Sequence, residues 1–578
     1  MKSEFNIRGR RFVCSHDQSV EVDFTLAEEK DGVYVYKIKF DFGEARLPEK
    51  ISLSWQREAT GVYSVWDPAR RDRHIGYGGN EKFRARLASW MPLVQTVSKN
   101  GKNCALTAVM DVKTPVSIGV KMLLEQETAE TELVFFDDIT NPMTGYETLI
   151  REDLREIPFD EAVMQAAEWC SPSGGDISAP PEAALMPMYS TWYSYLQKIT
   201  AEDVIKECAE AVKYGMKSVI IDDGWQTNDS GALYGYTGDW KPVSLKFDDM
   251  RALSDRLHEL GMKVILWFSV PFVGYCSENY KKFETMYLRN NDNINCSTLD
   301  PRYKEVRDFL IQTYVNAVKE WDLDGLKLDF IDRFYSDGKV NENMDYVSVE
   351  DATEQLLKEI TAALKRVKPD IMIEFRQPYI GPVITEYGNM VRVWDCPLDP
   401  LSNRLGTLNL RLTSGKCAVH SDMINWGRED TPQSVASRLI SSLFSVPQIS
   451  VRLNEITGGQ KLALKTYLDC RIKLGGIIEN GRLKLSDPES GYSAAQATFE
   501  SKTVAVGFCK NVFDLDKCSE AVVFNLTSEQ SIIVQNAAFS QYTVYDCMGN
   551  VTDSGGINES LASVPVPFAG RAEIFRKN

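Results

Sequence analysis

Histidine is scarce in this chain: four residues in 578, His16, His74, His258 and His420. They lie far apart and none shows H-x-x-x-H spacing, so a His-rich metal site is not expected, and no cofactor is implied. The twelve cysteines run from Cys14 to Cys547 without a C-x-x-C pair or a dense cluster. That scatter predicts buried free thiols in a reducing compartment rather than a disulfide framework. A Gly-rich phosphate loop and a G-x-S-x-G elbow are both missing, which argues against nucleotide chemistry and a serine hydrolase. Positive charge is short as well, with 65 Lys and Arg against 82 Asp and Glu, a net charge of -17 and a pI near 5. Nucleic acid and acidic membranes need basic patches and are excluded as partners on that ground. No apolar run reaches transmembrane length, and the opening MKSEFNIRGRRF has no signal-peptide core, so the expected location is the cytoplasm.

What is present falls into three textures, and 578 residues are too many for one core. Residues 1–180 alternate polar and apolar in short runs such as "GVYVYKIKFDF" and "ETELVFFD", the period-two signal of an antiparallel β-sandwich. A Pro-, Gly- and Ser-rich linker, "CSPSGGDISAPPEAALMP" (170–187), follows. From 186 to 475 short apolar runs alternate with amphipathic helical segments. Eight strand candidates appear: 186–193, 217–223, 263–270, 325–331, 371–377, 390–395, 417–422 and 447–453. Eight strand–helix units in roughly 290 residues predict a (β/α)₈ TIM barrel. A doubly wound open sheet is the rival, but would more naturally carry a Gly-rich loop after its first strand. Residues 480–578 return to alternation and predict a small all-β domain.

Barrel enzymes work at the C-terminal ends of their strands. Read in order, those ends offer Trp192; Asp222, Asp223 and Trp225; Trp267; Lys327 and Asp329; Glu374 and Arg376; Arg392, Trp394 and Asp395; His420 and Asp422. Singly, most have a plainer reading. A lone Asp after a strand is usually a helix N-cap, and Asp332 and Asp399 fit that role. Lys327 and Asp329 would make a structural ion pair, the tryptophans core, and His420 a satisfied buried imidazole. Together they read differently, because one concave face does not need that many caps. Two carboxylates facing across a pocket, with acids and aromatics to grip hydroxyls and ring faces, suit glycoside cleavage. Asp329 is the candidate nucleophile, kept ionised by Lys327 two residues away; Asp395 is the candidate acid, expected to have a raised pKa for want of a nearby cation.

The same residues carry a family resemblance. "IIDDGWQ" (220–226) and "LKLDF" (326–330) resemble the D-D-G-W and K-W-D motifs of glycoside hydrolase family 36, the α-galactosidases or melibiases. "LDPRYKEVRDFL" (299–310), "VRVWDCPLD" (391–399) and "AVHSDMINW" (418–426) are similar to further barrel segments of that family, whose sandwich–barrel–β-domain order is also matched. The resemblance implies a retaining α-galactosidase with Asp329 as nucleophile, Asp395 as acid/base and Asp399 as the alternative acid/base. Asp222 and Asp223 would bind the sugar's 4- and 6-hydroxyls, and Lys327 hydroxyls near the cleavage point. Trp192, Trp225, Trp267, Arg376, Arg392, His420 and Asp422 complete the expected sugar site. The implied partner is an oligosaccharide or other glycoside, and a homo-oligomer is compatible with the sequence. Three features depart from the family. "IEFRQPYIGP" (373–382) replaces the family's Cys and Gly-rich run, which puts reading of the 2-hydroxyl on Arg376 or Arg392. Leu328 stands at an aromatic position, and the N-terminal domain is short. Within enzymes the alternatives are transglycosylation or hydrolysis of another α-glycoside by the same pair. Outside enzymes the alternative is a catalytically silent sugar-binding protein.

Overall fold

The computed structural model describes residues 1–69, 82–171 and 179–576. Part of the linker read at 170–187 therefore lies outside the described residues. The N-terminal region packs two six-stranded sheets face to face, and Tyr36, Ile38, Phe40, Leu53 and Leu133 fill the space between them. A helix, Phe159–Trp169, follows the sandwich where the sequence reading placed only strands. Asp160 on that helix accepts the amide of Leu485, joining it to the C-terminal domain. That domain comprises a seven-stranded and a three-stranded sheet.

Between them lies the barrel. Its strands, called one to eight in chain order, are Met188–Ser190, Ser218–Ile221, Lys263–Ser269, Gly325–Asp329, Met372–Arg376, Met390–Arg392, Ala418–His420 and Gln448–Ile449. Strands one to seven pair in parallel in sequence order, strand one also pairs strand eight, and a parallel bridge from His420 to Val446, just before strand eight, closes the ring. All eight expected strands are found, each shorter than the apolar run that announced it. A three-stranded sheet built from Phe272–Gly274, Tyr287–Asn291 and Cys296–Leu299 is inserted after strand three.

Inward side chains form layers, because alternate residues of a strand share a face. The floor layer is apolar: Met188, Ile220, Ile265, Met372, Met390 and Ala418 pack with Ala184, which plugs the barrel from the turn Glu182–Leu185. Gly325 completes this layer by having no side chain, since a Cβ there would lie 2.7 Å from the Met372 carbonyl oxygen. Two residues further along each strand the inward positions become Asp222, Trp267, Lys327, Glu374, Arg392 and His420. The apolar floor thus sets where the polar layer begins.

The surrounding helices bury one face each. In Val349–Val367 the stripe is Val349, Leu356, Leu357, Ile360 and Leu364, and Ser348 caps the first turn by accepting the Asp351 amide. The helix Pro400–Thr413 was not anticipated. Its buried face mixes Leu405, Leu408 and Leu412 with Asn403, Thr407 and Asn409, which blurs the apolar period. Asp399 is its N-cap, accepting from the Leu401 and Ser402 amides at 3.1 and 3.0 Å.

The sandwich touches the barrel next to the strand that ends in Asp329. Arg86 donates to the carbonyls of Phe334 and Asp332, at 2.6 and 2.7 Å, and to Glu350 at 2.7 Å. Both members of that ion pair are buried. Arg86→Met leaves Glu350 as an unpaired buried charge and is expected to lower stability by about 3–5 kcal/mol. Adding Glu350→Gln removes that charge, and the double variant should recover part of the loss, measured as denaturant midpoints of the two proteins.

Candidate active site

The site occupies the C-terminal mouth of the barrel, where strand four delivers Asp329. This residue is 5 % exposed, and both carboxylate oxygens are engaged. Oδ1 accepts from the Arg376 guanidinium and from the Phe330 amide at 2.9 Å; Oδ2 accepts from the Trp267 indole at 3.1 Å, with the Lys327 ammonium 3.8 Å away. Burial opposes its ionisation, but Arg376, Lys327 and Arg392 outweigh burial and hold the carboxyl well below the usual range. Arg376 outranks Lys327 in this effect, and it arrives from strand five, so adjacency along strand four does not reveal it. The strand ends at Asp329 because Phe330 adopts a left-handed backbone, φ 66°. That turn presents the Phe330 amide to the carboxylate.

Lys327 gives its hydrogen bond to Asp222, at 2.6 Å, across the barrel from strand four to strand two. Asp223 turns the other way and is gripped by two amide side chains, Gln226 on Oδ1 at 2.6 Å and Gln197 on Oδ2 at 2.7 Å. Burial, with the charge of Asp222 beside it, pushes Asp223 up to about 6 despite those donors.

Asp395 is different from what the sequence led one to expect. Arg392, three residues earlier on the inward face of strand six, donates to it at 2.9 Å. Burial in the mouth raises its pKa, Arg392 and then Arg376 lower it, and the balance lies below the ordinary value. The expectation of a raised acid therefore fails for the free protein: the missing cation is present, three residues back along the chain. The side chain of Asp395 is half exposed, unlike that of Asp329. The other end of the Arg392 guanidinium pairs with Asp422, which also accepts from the Tyr193 hydroxyl at 3.0 Å and the Cys396 amide at 2.7 Å. Arg392 and Asp422 are fully buried, so they act on the mouth through Asp395 and Tyr193. Asp399 is engaged as a helix cap, as its plainer reading had it.

Four other expectations are corrected, those for Trp225, Trp267, His420 and Asp332. Trp225 is fully buried among Trp240, Phe268 and Trp321, with its indole on the Trp267 carbonyl, so it is core and not a sugar platform. Trp267 is 1 % exposed and reaches the site through its indole N–H rather than its ring face. Trp192 opens the short helix after strand one and is partly exposed. His420 points to the floor: Nε2 meets the Ala184 carbonyl at 2.9 Å and Nδ1 lies 3.2 Å from Gln448, and burial depresses its pKa to about 4. Asp332 does not cap a helix; it sits inside the turn Ile331–Arg333, 3.7 Å from Arg333.

Two participants, Tyr234 and Gln448, were missed as site residues, and Glu374 was read at its strand end but given no role. Tyr234, in the loop after strand two, stacks on Trp267 and meets Phe272 and Phe330 edge-on or tilted, forming an aromatic wall beside Asp329. No alternation marks a loop residue of this kind. Gln448 on strand eight donates to Glu374. Glu374 is inward on strand five, fully buried, and lies 3.8 Å from the Nε of Arg392. Among the described residues the group best placed for a metal is Asp255, His258 and Asp322, near the opposite end of the barrel. Arg251, Lys368 and Asp324 already engage these side chains, which makes it an ion-pair network.

A melibiase family model matches residues 187–375, from strand one to strand five. An α-galactosidase of Lactobacillus acidophilus is 31% identical over 140 residues, a match covering 22% of this chain and only 18% of that enzyme. Among solved structures, an α-galactosidase of Lactobacillus brevis superposes with a TM-score of 0.68 at 12% identity, covering 100% of this chain and 83% of that one. A family 36 α-galactosidase of Geobacillus stearothermophilus, solved as a variant in complex with raffinose, superposes with a TM-score of 0.64 at 14% identity, covering 98% and 83%. The barrel sequence is thus similar to melibiases, and the sandwich, barrel and β-domain share the fold of the solved α-galactosidases.

Glu374 makes the buried polar layer sensitive to pH. Burial is the main cause that pushes it up to about 7 from an ordinary 4.5, against the pull of Lys327 and Arg392. A raised folded-state pKa contributes stability that is complete below pH 4.5 and is lost as pH rises through 7. Wild type and Glu374→Gln are to be compared at pH 4.5 and above pH 7. Between those two conditions the stability difference should shift by about 3 kcal/mol in favour of the glutamine variant. An unchanged difference would show that Glu374 does not titrate in this range.

Proposed function

We propose that the protein is a retaining glycoside hydrolase of the α-galactosidase type, with Asp329 as nucleophile and Asp395 as acid/base. The observation that carries this reading is the contrast between the two carboxylates. Asp329 is buried and held ionised by cations and an indole donor, while Asp395 stands half exposed at the mouth. In the first step an oxygen of Asp329 attacks the anomeric carbon. The glycosidic bond breaks with its electrons passing to the leaving oxygen, which takes the proton from Asp395. In the second step Asp395 removes a proton from water, the water oxygen attacks the anomeric carbon, and the glycosyl–Asp329 bond breaks.

The electrostatics fit this cycle. An aglycone covering the open side of Asp395 desolvates it and raises its pKa toward the acid form. The charge of Asp329 raises it too. Esterification of Asp329 removes that charge, so Asp395 becomes a better base when the second step needs one. Asp222 and Asp223 supply acceptors for sugar hydroxyls, Tyr234 an aromatic wall, and Arg376 a donor at the place where the resemblance expects the 2-hydroxyl to be read. Raffinose-type α-galactosides, the ligand class of the Geobacillus structure, are the first substrates to test.

On aryl α-galactosides the wild type should turn over and should prefer them to the matching α-glucosides. Asp329→Ala should fall to background on every substrate. Asp395→Ala should lose about 10²–10⁴-fold on raffinose, and far less on an aryl glycoside whose leaving group needs no proton. Preference for glucosides would retain the mechanism and reject the sugar; no turnover of any α-glycoside would favour a silent binding protein; sugar transfer to added acceptor in place of water would mark a transglycosylase.

A further inference from the structure

Lys246 lies outside the barrel strands and was not singled out by any motif, yet its ammonium group is placed with unusual economy. It donates to three backbone carbonyls, those of Gln197, Gly224 and Thr227, at 2.6, 2.5 and 2.6 Å. An ammonium has three donors, so this cage uses all of them. The cage draws on two loops, one following strand one and the other following strand two. Both loops carry the side chains that hold Asp223. Gln197 supplies the donor on Oδ2; Gln226, between Gly224 and Thr227, supplies the donor on Oδ1 and accepts the Gly224 amide at 3.1 Å.

The two loops pack backbone against backbone at Gly224. Its conformation, φ +124°, is one that side chains rarely adopt, and a Cβ there would lie 2.6 Å from the Cα of Gln197. Three carbonyl oxygens converging at such a junction repel one another, and the cation between them turns repulsion into attraction. From these observations we infer that Lys246 is the positioning residue of Asp223: it fixes Gln197 and the 224–227 turn, and through them the orientation of the carboxylate that receives a sugar hydroxyl. This inference rests on the reading of the site as an α-galactosidase for its substrate, though not for its geometry.

The test is a double-mutant cycle on the full chain, with an aryl α-galactoside, over Lys246→Met, Asp223→Asn and both together. Lys246→Met should lower kcat/KM at least tenfold, and the double variant should be no worse than Asp223→Asn alone, since Lys246 acts through Asp223. Lys246→Ala should regain activity with ammonium or methylammonium, which can occupy the cage, and not with tetramethylammonium at equal ionic strength. Without any substrate, backbone amide exchange over 197 and 223–227 should quicken in Lys246→Met while the barrel core is unchanged. Additive losses in the cycle would overturn the inference, as would unaltered kcat/KM or absent rescue in a variant that retains its fold. Wild-type inactivity on all α-galactosides would reject the functional reading, and the exchange experiment would then decide the geometry by itself.

Discussion

Buried charge is the constraint on which this site depends. Six carboxylates, those of Asp222, Asp223, Asp329, Glu374, Asp395 and Asp422, gather in one barrel mouth with three cations, Lys327, Arg376 and Arg392. An isolated ion in such a place is costly, and a shared one is less so when its donors are all used. Each of the cations therefore acts on more than one acid, Arg376 on Asp395 as well as on Asp329. Lys327 faces Asp222 and Asp329; Arg392 joins Asp395 to Asp422 and lies near Glu374; Arg376 sits on Asp329 and over the ring of Phe330. Removing one cation would disturb several acids at once, and through them Asp329 and Asp395 are electrostatically linked.

Asp329 and Asp395 receive different treatment from this shared field. Strand four ends in a turn that surrounds Asp329 with donors, whereas Asp395 lies beyond the end of strand six, held by one side of a guanidinium. The first arrangement favours permanent charge. The second leaves the proton affinity open to change by substrate, by desolvation and by neutralisation of Asp329. Arg376 belongs to the stretch that departs from the melibiase resemblance, and it stands directly on Asp329, so the departure lies beside the proposed nucleophile.

Much of the fold was legible in the sequence because its signals are periodic. Apolar runs at eight places announced the barrel strands, and period-two alternation announced the flanking sheets. The helix Pro400–Thr413 escaped because buried Asn403, Thr407 and Asn409 interrupt its stripe, although Asp399 and Pro400 gave a start signal. The inward acids and bases were legible for the same reason as the strands. What was not legible was pairing between strands. Arg376 comes to Asp329 from the neighbouring strand, and Arg392 divides between Asp395 and Asp422, so neither pKa followed from residues adjacent in sequence. Aromatics were the weakest signal. Trp225 follows the D-D-G motif and is core, whereas Tyr234, in an unpatterned loop, lines the mouth.

The central claim is that Asp329 is the ionised nucleophile of this barrel. Incubation with a 2-fluoro-α-galactosyl fluoride, or its 5-fluoro counterpart, followed by intact-mass and peptide analysis, tests it most directly. A mass increase of one fluoroglycosyl unit carried on Asp329 is the result expected. Turnover without any adduct and with inverted anomeric configuration, or an adduct on another carboxylate, would contradict the account.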